Sequence, residues 1–246
     1  MVVTGGASGI GAACMDWWRD RDGIAVGLDV DGSAPDVTSC DVTSEEDVTT
    51  ALKTVRETHG RIDAIVHCAG VLGPQVPLVE LTLADWERVM AVHATAGFLL
   101  AKHGIPVLAE NGGALVFTGS IVTSGGSATH PAYAAGKAAL VNLARSLAGP
   151  AGRHRVRVNV VSPGSVVGTK FLREERPDGL SLVEVAGLAA SIPMGRAGTG
   201  ADIAATVGFL ASPEARHITG ADIVVDGGEG LPNRGAGHIM PQRSGQ

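Results

Sequence analysis

The stretch Thr4-Gly5-Gly6-Ala7-Ser8-Gly9-Ile10-Gly11 decides the fold of this chain; it follows the apolar Val2-Val3 and opens a helical pattern that runs from Gly11 to Asp20. Glycines at a strand-to-helix junction permit a tight turn. They also let main-chain N–H groups approach a pyrophosphate, whose charge the helix dipole favours. In a chain with 35 glycines, such a cluster by itself is equally compatible with a turn that binds nothing. The next strand adds to it, because it ends on Asp29, eighteen residues past Gly11. A dinucleotide site has an acidic residue there that accepts hydrogen bonds from the adenosine ribose. Asp29 also fits a solvated turn, with Asp31 and Gly32 nearby. Read as a ribose ligand, it would repel the 2′-phosphate of NADP, and Ser8 puts no positive charge in the loop to hold one. The expectation is NAD, bound by Gly5, Ser8, Gly9, Ile10, Gly11 and Asp29.

Downstream, short β-branched runs alternate with longer helical patterns. Strands are expected at Ile24 to Asp29, Ile62 to His67, Ala114 to Thr118, Val156 to Val161 and Ile223 to Asp226. Helices are expected at Gly11 to Asp20, Ser44 to Thr58, Ala84 to Ala109, Pro131 to Leu147 and Ala201 to Ala211. Thr43-Ser44-Glu45-Glu46 resembles a capping box, and Pro131 suits a first helical turn. Crossovers of this length require parallel strands, and runs such as Ala64-Ile65-Val66 and Leu115-Val116-Phe117 show no in/out alternation. The pattern predicts one doubly wound α/β domain over residues 1–231, its parallel sheet covered by helices on both faces.

Composition narrows the partners. The 246 residues carry a net charge of −6, which lacks the basic footprint of a nucleic-acid or anionic-membrane binder. Only 18% of residues are charged, against about 25% in ordinary domains, so part of the surface is expected to meet another copy. Cys14, Cys40 and Cys68 are odd in number and lack CxxC spacing, giving neither a disulfide framework nor a metal site. A reducing, cytoplasmic setting and a small-molecule partner are expected. No apolar run reaches membrane-span length, and Met1-Val2-Val3 leaves no room for a signal peptide; a start further upstream stays open.

Tyr133 is the only tyrosine, and Lys137 follows it one helical turn later. On a helix the two share a face. A free phenol, with a pKa of about 10, is a poor proton-transfer group at neutral pH; an ammonium and a positive nicotinamide ring beside it would favour the phenolate. A surface pair has the same spacing, so the surrounding residues matter. The glycine pattern, Asp29, Asp41-Val42, Ala69-Gly70, Ser120, Tyr133-x-x-x-Lys137, Pro163-Gly164 and Asp226-Gly227-Gly228 together resemble the short-chain dehydrogenase/reductase family, in order, over about residues 1–231. The resemblance implies a Rossmann-type sheet of about seven parallel strands, a homotetramer or homodimer, and a Ser120-Tyr133-Lys137 centre interconverting a secondary alcohol and a ketone. In that mechanism Tyr133 is the general acid/base, Ser120 binds the substrate oxygen, and Lys137 holds the nicotinamide ribose and tunes Tyr133. Ser120 stands thirteen residues before Tyr133 after a strand, and is preferred to Ser124 and Ser127. The resemblance further implies cofactor contacts from Asp41, Val42, Cys68, Ala69, Gly70, Pro163, Gly164 and Val166.

The chain departs from the family at three places. Relatives have Asn-Asn-Ala-Gly where this chain has His67-Cys68-Ala69-Gly70; His67 is expected to be a satisfied core histidine and Cys68 a small buried hydrophobe. Relatives have an asparagine in place of His93, where it helps hold a water in the proton relay. Either His93 takes over the relay, in which case its removal deletes a limb of the pH–rate profile near neutrality, or it fills the space. Beyond Pro163-Gly164, Gly168 stands where relatives commonly carry threonine, so a one-residue shift makes Thr169 the expected cofactor ligand. Residues 165–198, with a possible helix from Leu182 to Ala190, suggest a substrate lid. Phe171, Leu172, Leu180 and Met194 in it either line a pocket for a cyclic alcohol, sugar-like ring or diol, or pack the lid onto the sheet. Residues 232–246 read as a loose tail or as a contribution to a neighbouring subunit. The rivals are an NADPH-dependent ketoreductase and an inactive dinucleotide-binding regulatory protein.

Overall fold

The computed structural model describes residues 1–169 and 182–232. Phe171, Leu172 and Leu180 of the expected lid and nearly all of the tail lie outside the described residues. Seven strands form one parallel sheet in the order β3-β2-β1-β4-β5-β6-β7. They are β1 Val2–Thr4, β2 Val26–Asp29, β3 Val37–Ser39, β4 Ala64–His67, β5 Gly113–Thr118, β6 Val156–Pro163 and β7 Asp222–Val225. The doubly wound sheet and its expected strands are present, with shifted ends. Strand β3 was not foreseen: it has three residues, two of them exposed, and so carries no apolar run.

Helices α1 Gly9–Arg19 and α8 Gly200–Ala211 cover one face. Their core there includes Val3, Met15, Val66, Val116, Val161, Ile203 and Val207. On the other face lie α2 Glu45–His59, α4 Ala96–Ala109 and α6 Pro131–Gly152, around Leu52, Ile65, Leu100, Leu115, Phe117 and Leu140. The near-continuous burial of β4 and β5 explains why both read as unbroken apolar runs. The remaining helical segments are α3 Leu83–Met90, α5 Val122–Gly125 and α7 Leu182–Ser191; the last spans the helix expected in the lid.

Two local expectations are corrected. The cap of α2 is one residue later than Thr43: Ser44 accepts from Asp47 N at 3.2 Å and its hydroxyl donates to Asp47 Oδ1 at 2.8 Å. The single helix expected over Ala84 to Ala109 is instead α3 and α4 joined by a π-turn, Ala91–Thr95. Nothing in the local sequence announces that widening, since Pro106 lies within α4 and not at the turn.

Strand register brings Thr4 beside both Leu28 and His67, and His67 beside Phe117. The carboxyl ends of the strands therefore share one edge. Strand order reverses between β1 and β4, the place where an α/β sheet opens a crevice for a ligand.

Candidate active site

The glycine loop follows directly from this edge. Gly5 has φ +70°, and a Cβ on it would stand 2.8 Å from Ala69 N, so a side chain would push β1 and β4 apart. Ser8 is the N-cap of α1 but makes no side-chain capping bond, leaving the helix entrance to a ligand. Asp29 Oδ2 accepts from Ala7 N at 3.2 Å and Oδ1 accepts from Asp31 N at 3.2 Å, which ties the end of β2 to the loop. Each carboxylate oxygen still has a lone pair for a ribose hydroxyl.

A cleft of about 300 Å³ opens here, lined by Gly5, Ser8, Gly9, Ile10, Gly11, Asp29, Asp41, Val42, Cys68, Ala69, Gly70 and Thr169. The structure thus brings together twelve of the expected cofactor residues. Leu28, Val30, Cys40, Val71 and Val92 join them without having been singled out. Their apolar character gave no signal, because core residues look the same. No lysine or arginine is among the described lining residues. Asp41 Oδ1 also accepts from Thr43 N and Oγ1, so its carboxylate shapes the turn after β3. Gly168 takes φ +79°, and Thr169 lies against Gly9.

Pro163, Gly164 and Val166 do not line this cleft. Pro163 ends β6, Gly164 N donates to Val225 O at 3.1 Å, and buried Val166 bridges to Gly198. Glu229, missed in the sequence, fastens the turn by accepting from Ser165 N at 2.7 Å and Ser165 Oγ at 2.8 Å.

Beside the cleft, α6 presents Tyr133 and Lys137, both buried, on one face. The Ser120 side chain hydrogen-bonds the Tyr133 hydroxyl and favours its ionised form, but burial outweighs this and pushes the phenol up to about 12. Lys137 is pulled down to about 8 by burial, partly offset by Cys68. Its Nζ donates to Thr118 O at 2.7 Å and lies 5.6 Å from the Tyr133 ring centroid. The lysine thus lies over the ring, and within the protein alone burial raises the phenol; the expected depression also draws on the positive nicotinamide ring of bound NAD. Ser127 Oγ accepts from His130 N at 3.1 Å, a loop-shaping contact, which leaves Ser120 as the serine at Tyr133.

His93 sits in the π-turn, fully buried, its ring edge-on to Tyr133 with centroids 5.3 Å apart. Its Nε2 lies 2.8 Å from Val71 O. Burial, then the Lys137 charge, hold it neutral with a pKa down at about 2. A group held there has no titration near neutrality to give, so the relay reading survives only for an imidazole that stays neutral. His67 is also buried and neutral, at about 3, for the same two reasons. Its Nδ1 lies 2.8 Å from Thr4 Oγ1 but its Nε2 has no hydrogen-bond partner, so the expected satisfied core histidine is only half satisfied. Cys68 turns its thiol to Cys14 and, at 3.2 Å, to Thr118 Oγ1, but it lines the cleft and is only partly buried, short of the buried hydrophobe expected. Among the described residues no group of histidine, cysteine or carboxylate side chains suits a metal ion, and no helix is long and apolar enough to cross a membrane.

Comparison with known proteins agrees with this geometry. A family model described as enoyl-(acyl carrier protein) reductase matches residues 7–229. The chain is similar to cis-4-hydroxycyclohexanecarboxylate dehydrogenase of Sinomonas cyclohexanicum, at 35% identity over 92% of this chain and 94% of that protein. It is also similar to (+)-borneol dehydrogenase 1 of Salvia officinalis, at 30% identity over 94% of each. Among solved structures, the ligand-free aldohexose dehydrogenase of Thermoplasma acidophilum superposes with a TM-score of 0.88 at 26% identity, covering 96% of both chains. Levodione reductase gives 0.84 at 28% identity, covering 94% of this chain and 97% of that one. With the family model spanning nearly the whole described fold, and with a strand-edge cleft of the right kind, the chain belongs to the short-chain dehydrogenase/reductase family of oxidoreductases, which bind a nicotinamide dinucleotide.

Proposed function

We propose that the chain interconverts a secondary alcohol and a ketone with NAD, using Tyr133 as general acid/base. The observation that carries this reading is the Ser120–Tyr133 hydrogen bond in a buried site beside the glycine-loop cleft, with the Lys137 ammonium over the ring. The residues present fit the cofactor: the open α1 N-terminus suits the pyrophosphate, and Asp29 suits a ribose diol. When bound, oxidised NAD supplies the hydride acceptor and a positive charge that favours the Tyr133 phenolate. Asp29, with no basic side chain among the described lining residues, supports NAD over NADP.

Ser120 and Tyr133 together hold the substrate oxygen. In oxidation Tyr133 takes the hydroxyl proton; in reduction it returns a proton to the oxygen as negative charge develops, while Ser120 donates a hydrogen bond to the same atom. A phenol raised by burial stays protonated at neutral pH and so has a proton to give to a nascent alkoxide, a stronger base, while Lys137 limits the cost of the phenolate left behind. Burial of both residues keeps bulk water from exchanging the proton. Thr118 O fixes Lys137 for this role.

We also propose a ring-bearing alcohol as substrate, on the strength of the hydroxycyclohexanecarboxylate relative. Self-association through exposed Leu83, Trp86 and Phe98, and a reducing compartment such as the cytoplasm for three free cysteines, complete the reading. Steady-state assays with cis-4-hydroxycyclohexanecarboxylate, borneol and an aldohexose, each with NAD and with NADP, test it. NADH formation with at least one alcohol, and a larger kcat/KM for NAD, are expected. Preference for NADP sinks the cofactor assignment, and silence across a broad alcohol and ketone panel sinks the activity.

A further inference from the structure

Two buried imidazoles, one of them edge-on to Tyr133, each leave a ring nitrogen without a partner, His67 Nε2 and His93 Nδ1. Their hydrogen-bond partners narrow what these atoms can be. Thr4 Oγ1 accepts from Ala69 N at 3.2 Å, so its single hydrogen is free to point at His67 Nδ1, 2.8 Å away. With Nδ1 accepting that hydrogen, the proton of neutral His67 lies on Nε2, and the proposal takes this tautomer. In that tautomer His67 presents a buried N–H donor. The ring interacts with the main chain of His93 and Val92, while its Nε2 has no direct hydrogen-bond partner.

Val92 and His93 belong to the π-turn Ala91–Thr95. A π-turn interrupts the regular helical ladder and is held only where its displaced main-chain groups find other partners. His93, on that turn, donates from Nε2 to Val71 O at 2.8 Å and lays its ring edge against Tyr133. Its backbone also abuts α6, where a Cβ on Gly136 would stand 2.9 Å from His93 Cβ. The turn thus packs directly on the helix that carries Tyr133 and Lys137.

We propose that His67 is a positioning residue for Tyr133: through one buried water its Nε2–H holds the π-turn that seats His93 against the tyrosine ring. The water has enough polar partners to stay, since it accepts from His67 and donates to a π-turn carbonyl, with His93 Nδ1 a further acceptor in the cluster. The proposal rests on the functional reading above only for its kinetic consequence.

The test uses the full chain with ¹⁵N-labelled histidine, together with His67→Leu, His67→Gln, His93→Asn and the His67→Leu/His93→Asn pair. Wild type is expected to show His67 as the Nε2–H tautomer. His67→Leu is expected to shift the ring resonances of His93 and of Tyr133, the sole tyrosine, and to lower kcat by about tenfold to a hundredfold with KM for NAD unchanged. His67→Gln, whose amide can donate from a similar place, is expected to recover most of both, and the double variant to lose less than the product of the single losses. An Nδ1–H tautomer in wild type overturns the proposal. So do unchanged His93 and Tyr133 resonances in His67→Leu, and so does a glutamine variant that behaves as the leucine does. If His67→Leu does not fold, the wild-type tautomer and the glutamine variant decide. If wild type turns over no substrate with NAD, the functional reading fails, while the resonances still decide the positioning claim.

Discussion

Replacing His67 and His93 by asparagine will make the protein markedly less sensitive to acid. Both imidazoles are held neutral, His67 at about 3 and His93 at about 2, against 6.5 for a free histidine. In the unfolded chain both protonate as pH falls below 6.5; in the folded chain they do not until pH nears their depressed values. The stability they confer is therefore present above pH 6.5 and drains away as pH drops toward 3 and 2. At pH 4.5 the unfolded state is two pH units below its own pKa, so each residue forfeits about 3 kcal/mol, and the two together about 5 kcal/mol. That is comparable to the whole stability of an ordinary domain, about 5–15 kcal/mol. Urea unfolding at pH 7 and pH 4.5, at one protein concentration, gives the change in free energy between the two conditions for wild type and for the double variant. Carboxylates held low by hydrogen bonds and ion pairs, such as Glu45 and Asp202, add an acid-sensitive share common to both proteins. The wild-type change should exceed that of the variant by about 5 kcal/mol. Equal changes would refute the assignment of both histidines as buried neutral groups.

Other consequences follow from single contacts. Asp29→Asn keeps an acceptor for Ala7 N while removing the charge, so the kcat/KM ratio of NAD to NADP should fall by about tenfold; an unchanged ratio would show that Asp29 does not choose the cofactor. Gly136→Ala places a methyl 2.9 Å from His93 Cβ and should destabilise the protein by about 1–3 kcal/mol in thermal unfolding, whereas an unaffected Tm would mean that α6 and the π-turn are not so closely packed. Because Tyr133 is the only tyrosine, ultraviolet difference titration reports it alone: no tyrosinate should form near pH 10 in the free protein, and saturating NAD should bring its onset down from about 12. Ionisation at 10 in the folded, cofactor-free protein would contradict the burial of its hydroxyl.

Much of this molecule was legible before its structure, for reasons that differ from element to element. Strands β4 and β5 announce themselves because both of their faces are buried, and the glycine loop does so because only glycine fits beside Ala69. Asp29 was legible from its place at the end of a strand. Strand β3 was not, because its three residues are held by one neighbour at the sheet edge and two of their side chains face water. The π-turn is set by tertiary contacts, with His93 anchored to Val71 O and wedged against α6, and no local residue encodes it. Spacing places Tyr133 and Lys137 on one face of α6, but burial of the hydroxyl is a property of the fold and carries no sequence signal. Opposite charge favours the phenolate, yet Lys137 lies over the ring while burial acts on the oxygen itself. His67 and His93 stand in β4 and in the π-turn, and only the fold shows that they form one buried cluster.

The central claim, that Tyr133 moves the proton in an NAD-linked oxidation, is tested most directly by Tyr133→Phe. The substitution removes one oxygen and keeps the ring against His93. Calorimetric titration with NAD, paired with NADH formation from whichever alcohol wild type oxidises, should show NAD affinity within about twofold of wild type and turnover reduced by about a thousandfold or more. A phenylalanine variant that retains a substantial part of wild-type turnover would contradict it.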